Sequence, residues 1–127
     1  YEEAIENGRY KKIYSITDSG KQNFIEWVST PMEIQSSKNP ELAKLYFMGF
    51  STKEKRESGL QEYILKLKEH YDMLNALCKE AEKFKVFDEN KDILHYQFAA
   101  TRYGKDLMKF NIEWWQKLLD EMKGSNI

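Results

Sequence analysis

An apolar pattern with a period of seven residues, in the middle of the chain, constrains the fold most strongly. The repeat comprises Leu60, Ile64, Leu67, Tyr71, Leu74, Cys78 and Ala81. About three heptads with this spacing predict one long helix with a coiled-coil-like packing face. The capping box Ser51-Thr52-Lys53-Glu54 predicts where the helix begins, and we expect it to reach about Lys85. Because such a helix is on the order of 50 Å long, it needs a second long helix or a second subunit beside it.

A second long helix is predicted from about Asp92 to Met122, after a polar turn at residues 88–92. Its apolar residues cover two neighbouring faces. One face holds Ile93, Tyr96, Ala100, Tyr103, Leu107, Phe110, Trp114, Leu118 and Met122, and the other holds Leu94, Phe98, Met108, Ile112, Trp115 and Leu119. A helix that is apolar over more than half of its circumference is buried by more than one neighbour. We therefore expect a second copy of the chain to cover one face, in a two-fold homodimer.

The N-terminal part is predicted to be a β-hairpin over residues 1–16, followed by a helix. Asn7-Gly8 is the strongest two-residue hairpin signal, because both turn positions need a positive φ. Thr17 is a suitable N-cap for a helix that runs to about Ser29 and ends before Pro31.

A short helix is predicted to begin at Asn39-Pro40-Glu41 and to end near Gly49, after a linker at residues 31–38. The expected fold is mainly α: a hairpin, a medium helix, a short helix and two long antiparallel helices. We expect two domains, over residues 1–30 and 39–127.

Composition narrows the classes of function. The formal net charge is −1, so contact with nucleic acid must come from a local basic cluster. The apolar runs are too short to span a membrane, and the acidic start Tyr1-Glu2-Glu3 is unlike a signal peptide. The single cysteine, Cys78, has no partner for an intrachain disulfide, which favours a cytoplasmic protein.

The sequence contains no motif for catalysis, metal binding or cofactor binding. His70 and His95 are isolated, without the spacing of a zinc site. Cys78 lies in the apolar repeat and has no neighbouring base by motif, so we expect an inert side chain. We therefore expect no catalytic residue, no metal, no cofactor and no enzymatic activity.

The segment from Asn7 to Lys21 resembles the wing of PadR-family transcriptional regulators. The family pattern runs roughly Gly-Arg-x-Arg/Lys-Lys-x-Tyr-x-Leu-Thr-x-x-Gly-Arg/Lys. The matching residues are Gly8, Arg9, Lys11, Lys12, Tyr14, Ile16 in place of Leu, Thr17, Gly20 and Lys21.

Residues behind this motif also resemble the family. The segment from Glu41 to Phe47 is similar to the start of its C-terminal helical domain, of the virulence-activator type. Tyr103-Gly104 and Glu113-Trp114 stand where the last helix of that domain carries a Gly and then a Trp. The resemblance implies a close helix crossing at Gly104.

The resemblance implies the wing and the dimerisation domain of a winged-helix regulator. The helices that precede the wing in this family are absent from these residues, and the chain begins at Tyr1 rather than Met. We therefore expect a piece of a longer protein, whose recognition helix reads the bases.

The resemblance also implies that the wing contacts DNA phosphates or the minor groove in the full-length protein. The predicted contact residues are Asn7, Gly8, Arg9, Lys11 and Lys12. From charge alone, the alternative is an ordinary solvated hairpin with three glutamates on its first strand.

A second candidate site lies on the last helix. Its predicted residues are Tyr96, Tyr103, Leu107, Phe110, Trp114, Trp115 and Leu118. Some PadR relatives bind flat aromatic ligands near the dimer interface, so these residues are expected to line that interface or a pocket for a small aromatic effector. Plain core and interface packing is the alternative. Adjacent tryptophans point about 100° apart on a helix, so Trp114 and Trp115 are expected to face different neighbours.

The sequence thus predicts the dimerisation and effector-sensing part of a PadR-like DNA-binding regulator. An effector would act by biasing an equilibrium between two dimer shapes. The competing hypothesis is a free-standing helical protein-interaction module with no role at DNA.

Overall fold

A computed structural model describes residues 1–34 and 39–127 of the chain. The chain divides into two compact units, Tyr1–Lys38 and Asn39–Ile127. The predicted fold class is confirmed: the described residues are mainly α, with an antiparallel hairpin followed by four α-helices. The end of the predicted linker at residues 31–38 lies outside the described residues.

The first unit contains the hairpin and one helix. Strand β1 (Glu2–Glu6) pairs antiparallel with β2 (Arg9–Ile13). The second strand was expected to reach Ile16, but it ends at Ile13 because that residue pairs with Glu2, the first residue of β1. Helix α1 (Asp18–Ser29) begins as predicted, since the Thr17 hydroxyl accepts a hydrogen bond from the Gly20 N–H at 3.0 Å.

The second unit begins with helix α2 (Pro40–Tyr46), where the Asn39 side chain accepts a hydrogen bond from the Leu42 N–H at 3.1 Å. The predicted helix to Gly49 is too long, because a 3₁₀ turn over Met48–Phe50 replaces its last residues. In that turn the Phe50 N–H bonds to the carbonyl three residues back instead of four.

The two long helices are α3 (Lys53–Ala81) and α4 (Lys91–Lys123). The predicted end of α3 near Lys85 is wrong by four residues, because the N–H groups of Lys83 and Phe84 turn to carbonyls three residues back. The helices are antiparallel: Lys53 donates to the Ser125 carbonyl at 2.6 Å, and near mid-helix Lys105 donates to Asn75 at 3.4 Å.

The buried core lies at the end of this helix pair that holds the start of α3 and the end of α4. Its members are Leu60, Ile64, Leu67, Trp115, Leu119 and Met122. Toward the turn between the helices, the apolar residues of the heptad repeat are only partly covered. One chain therefore buries only part of the apolar surface that its two long helices carry.

The close helix crossing expected at Gly104 is not found within this chain. A Cβ built on Gly104 would meet the Leu74 Cδ1 at 3.7 Å, which is ordinary van der Waals contact. Within this chain, packing does not exclude alanine at this position. No helix within residues 1–34 and 39–127 combines the length and the apolarity needed to cross a membrane.

The core assignment predicts a contrast between two leucines of α3. Leu60 is 3% exposed and Leu65 is 58% exposed. Leu60→Ala should lower the free energy of unfolding by about 2–4 kcal/mol, because it removes buried methyl groups and leaves a cavity. Leu65→Ala should change it by less than about 0.5 kcal/mol. Urea denaturation of both variants measures the difference, and equal losses would contradict the assignment.

Candidate functional site

The hairpin tip has the geometry that Asn7-Gly8 predicts. Asn7 and Gly8 have φ values of 50° and 75°, and Glu6 pairs with Arg9 across the turn. Positive φ at both central positions is typical of the turn that matches the twist of a two-stranded hairpin. The turn therefore places the exposed Arg9 side chain at the tip of the hairpin.

The three cations of β2 have different surroundings. Lys11 makes an ion pair with Glu6 across the hairpin. The Lys12 ammonium lies 4.6 Å from the centroid of the Tyr1 ring, within cation–π distance. Arg9 makes no salt bridge within the part of the chain that the structure describes. Of the three, Arg9 is therefore the most available to an incoming anion.

Helix α4 separates the predicted interface residues into two groups. Trp115 is 8% exposed and belongs to the chain's own core, and Leu118 is half-buried against that core. The exposed group consists of Tyr96, Tyr103, Leu107, Phe110 and Trp114. The two tryptophans thus face different surroundings.

The exposed group belongs to a longer apolar stripe along α4. We define the stripe as Ile93, Tyr96, Ala100, Tyr103, Leu107, Phe110 and Trp114, which are all exposed. Their spacing alternates between three and four residues, so they lie on one side of the helix. Tyr103 is 71% exposed and Phe110 is 60% exposed. A continuous stripe of large apolar side chains in water is typical of a helix that has a further partner.

Trp114 and Trp115 connect the stripe to the core. Their ring centroids lie 5.1 Å apart, in an edge-to-face arrangement with an interplanar angle of 80°. Tyr63 of α3 packs edge-to-face on Trp115, at 5.5 Å. Three aromatic rings therefore form a continuous row from α3 through the core to the exposed stripe.

A groove of about 710 Å³ lies beside this row, in the second unit. Residues of α2, the 3₁₀ turn and α3 line it, together with Trp115 of α4. The lining includes Arg56, whose Nε is buried. Sequence reasoning missed this groove, because its residues come from four separate elements and share no spacing or motif.

Over the ranges 1–34 and 39–127, no group of three or more His, Cys, Asp or Glu side chains is placed to hold a metal ion.

No protein-family model matches the chain, and no curated protein matches it. Among solved structures, the chain is similar to PadR of Bacillus subtilis, which was crystallised in complex with operator DNA. The TM-score is 0.72 and the sequence identity is 21%, and the match covers 95% of this chain and 68% of the PadR chain. The chain has a PadR-like fold.

This similarity confirms, at the level of the fold, the resemblance to PadR-family regulators that the wing motif predicts. Since the match covers 95% of the chain, it includes residues of both compact units. The hairpin tip and the α4 stripe therefore both lie in a chain whose fold is that of PadR.

The turn geometry predicts how the hairpin responds to substitution at Gly8, whose φ is +75°. Gly8→Ala should destabilise the hairpin by about 1–2 kcal/mol, because an L side chain is strained in the left-handed region. Gly8→Asn is the matched control, since Asn tolerates that region. The NOE between the α-protons of the paired residues Ile5 and Tyr10 measures hairpin population. Equal NOE intensity in both variants would contradict the turn assignment.

Proposed function

We propose that this chain is the wing and the C-terminal dimerisation part of a PadR-like DNA-binding transcriptional regulator. The observation that carries the proposal is the fold match, since PadR was crystallised on operator DNA and 95% of this chain is matched. The basic hairpin tip supports the contact with DNA, and the exposed stripe on α4 supports dimerisation. The proposal includes no catalytic step, and it agrees with the cytoplasmic location expected from the sequence.

In this proposal the hairpin tip contacts the DNA backbone through Arg9, Lys11 and Lys12, with Asn7 and Gly8 shaping the turn. Arg9 is exposed at the tip and has a planar guanidinium that suits a phosphate. Lys11 can exchange its partner Glu6 for a DNA phosphate, because Glu6 is exposed and a surface ion pair contributes only about 0–1 kcal/mol to stability. Contacts of this kind position a protein on DNA and add affinity, whereas base contacts supply the sequence preference.

The wing contact predicts a change in the salt dependence of DNA binding. In the full-length protein that contains this chain, the triple substitution of Arg9, Lys11 and Lys12 by Ala should weaken binding to operator DNA. Each phosphate contact on duplex DNA releases about 0.9 counterions. Loss of the three contacts should therefore make the slope of log K against log salt shallower by roughly 2–3. Fluorescence anisotropy at several salt concentrations measures both changes.

A matched control replaces Lys79, Lys83 and Lys85 by Ala, which removes the same charge from exposed positions in the second unit. This variant should keep the wild-type slope. If both triple variants reduce the slope equally, the effect comes from net charge and the wing contact is wrong.

The second half of the proposal is a homodimer in which the α4 stripe of each copy is covered by the partner. The stripe runs from Ile93 to Trp114, about six turns of helix. Polar or charged residues flank it, among them Arg102 and Asp106. An apolar centre with a polar rim is the usual composition of a protein interface. A two-fold pairing covers both stripes at once.

This dimer predicts different effects for two equally exposed side chains. Phe110 is on the stripe and Leu65 is on α3, outside it, and both are about 60% exposed. Phe110→Glu should raise the dimer dissociation constant roughly thirtyfold or more, because a charge would be buried against an apolar partner. Leu65→Glu should leave it unchanged. Light scattering over a dilution series measures the mass, and a monomeric wild-type chain at micromolar concentration would contradict the dimer.

The proposal also includes a small, flat aromatic effector that binds at the tryptophan pair. Trp114 is exposed and packs on Trp115, so a flat ligand has an indole face on which to stack. Such a ligand would lie at one end of the proposed interface. It would then bias the equilibrium between two dimer shapes if it contacts them differently.

The stripe alone is equally compatible with a helical protein-interaction module that has no role at DNA. That hypothesis predicts no operator affinity for the triple substitution to reduce. The salt-dependence experiment therefore separates the two functions.

A further inference from the structure

We infer that the groove that contains Arg56 (the Arg56 groove) is a docking surface for an acidic amphipathic helix of a partner protein. The groove is lined by α2, the 3₁₀ turn and α3, together with Trp115 of α4. Its lining residues on α3 run from Lys55 to Lys66, which is about 16 Å along the helix axis. This length matches about three turns of a docked helix. The inference goes beyond the proposed function, because it involves neither DNA nor a second copy of the chain.

The groove is open along its length, which suits a macromolecular partner. Small-molecule sites are concave and enclose most of the surface of the ligand. Here one edge is a row of exposed α3 residues spaced four, three and four apart, namely Lys55, Gly59, Glu62 and Lys66. Lys44 and Phe47 form the opposite edge and are exposed too. A helix that lies in such a groove buries its apolar face and keeps its polar face in water.

The floor and the α2 edge supply the apolar contacts. Leu60 and Trp115 lie in the floor, and Phe47 lies at the edge. The Phe47 ring packs on Tyr46 with a centroid distance of 5.0 Å, and it lies 6.3 Å from Phe50. All three rings are exposed, so they extend the apolar surface beyond the groove. Aromatic side chains are prominent among the residues that dominate the binding energy of protein interfaces.

The charges of the lining favour an acidic partner. Four cations line the groove against two carboxylates: Lys44, Lys55, Arg56 and Lys66 against Glu41 and Glu62. Lysines lie on both edges, Lys44 on α2 and Lys55 with Lys66 on α3. Carboxylates on the two flanks of a docked helix would therefore face cations on either side. Charge complementarity of this kind selects the partner and its orientation.

Arg56 provides an independent argument for a carboxylate. Its Nε is buried and finds no hydrogen-bond acceptor among the described residues of the chain. A buried donor without an acceptor is unfavourable, and the guanidinium stays charged at physiological pH. A Glu or Asp side chain of the docked helix would supply the missing acceptor.

The test uses the full chain and a designed probe peptide. The probe is a fluorescein-labelled helical peptide of about fifteen residues, with Leu and Phe at positions i, i+3, i+4 and i+7 and Glu on both flanks. One control peptide has Lys in place of each Glu, and a second has the same composition in scrambled order. The Glu probe should bind roughly tenfold more tightly than either control in fluorescence anisotropy. Added salt should reduce its advantage over the Lys peptide, because salt screens exposed charges.

Charge reversal at the groove edges tests where the probe binds. Lys44→Glu combined with Lys55→Glu should weaken binding of the Glu probe roughly tenfold and should strengthen binding of the Lys peptide. The gain for the Lys peptide also shows that the groove is still folded. The matched control is Lys79→Glu combined with Lys85→Glu, two exposed residues outside the groove. It should leave both affinities within about twofold, because Lys79 is about 20 Å along α3 from Lys66.

An NMR titration distinguishes the groove from the α4 stripe, which is also apolar. The Glu probe should shift the amide signals of Phe47 and Gly59 and leave those of Tyr103 and Leu107 unchanged. Shifts confined to the stripe would overturn the inference. So would equal affinity for the Glu and Lys peptides, no binding of the Glu probe at submillimolar concentration, or an equal loss in the two charge-reversed pairs.

A second copy of the chain is the competing occupant of the groove. If the Glu probe binds the Phe110→Glu variant but not the wild-type chain, the dimer already fills the groove and the inference is wrong. None of these measurements involves DNA, so failure of the docking surface and failure of the proposed regulator function are distinguishable.

Discussion

The contact between α3 and α4 is the interaction on which the rest of the second unit depends. Leu60, Ile64 and Leu67 of one helix pack with Trp115, Leu119 and Met122 of the other. Most of the stability of a protein helix comes from the packing of its apolar face rather than from intrinsic helix propensity, so both helices rely on this contact. The contact uses only one of the two apolar faces of α4, and it is tightest at one end of the pair. The other apolar face of α4 is therefore exposed in a single copy of the chain.

Packing of Trp115 against α3 also fixes the positions of both candidate sites in this unit. Once Trp115 is buried, the neighbouring Trp114 must point away from α3, onto the exposed stripe. The same buried indole forms part of the wall of the Arg56 groove. The groove and the stripe are thus connected through two rings whose centroids are 5.1 Å apart.

Local signals in the sequence predicted the elements well, because capping and turn chemistry act over a few residues. Asn7-Gly8, Thr17 and Asn39 occupy the predicted turn and cap positions, whereas the cap of α3 is Thr52, one residue after the Ser51 that opens the predicted capping box. The apolar period of α4 likewise predicted two faces, but it did not decide which face packs on α3, because that choice depends on the shape of side chains far apart in the sequence. For the same reason Trp115 and Leu118 are among the predicted interface or pocket residues, although Trp115 lies in the chain's own core and Leu118 packs against it. The groove was not predictable, since Arg56 and Trp115 come to line one groove only after the helices have packed.

The central claim is that a second copy of the chain covers the α4 stripe, and hydroxyl-radical footprinting tests it most directly. In a single copy, Tyr103 is 71% exposed and Tyr46 is 82% exposed, so the two tyrosines should react at similar rates. If the stripe is an interface, Tyr103 and Phe110 should be strongly protected at micromolar concentration, while Tyr46 should react as an exposed residue. Protection should be lost on dilution below the dissociation constant. Rapid labelling of Tyr103 and Phe110 at every concentration would contradict the account.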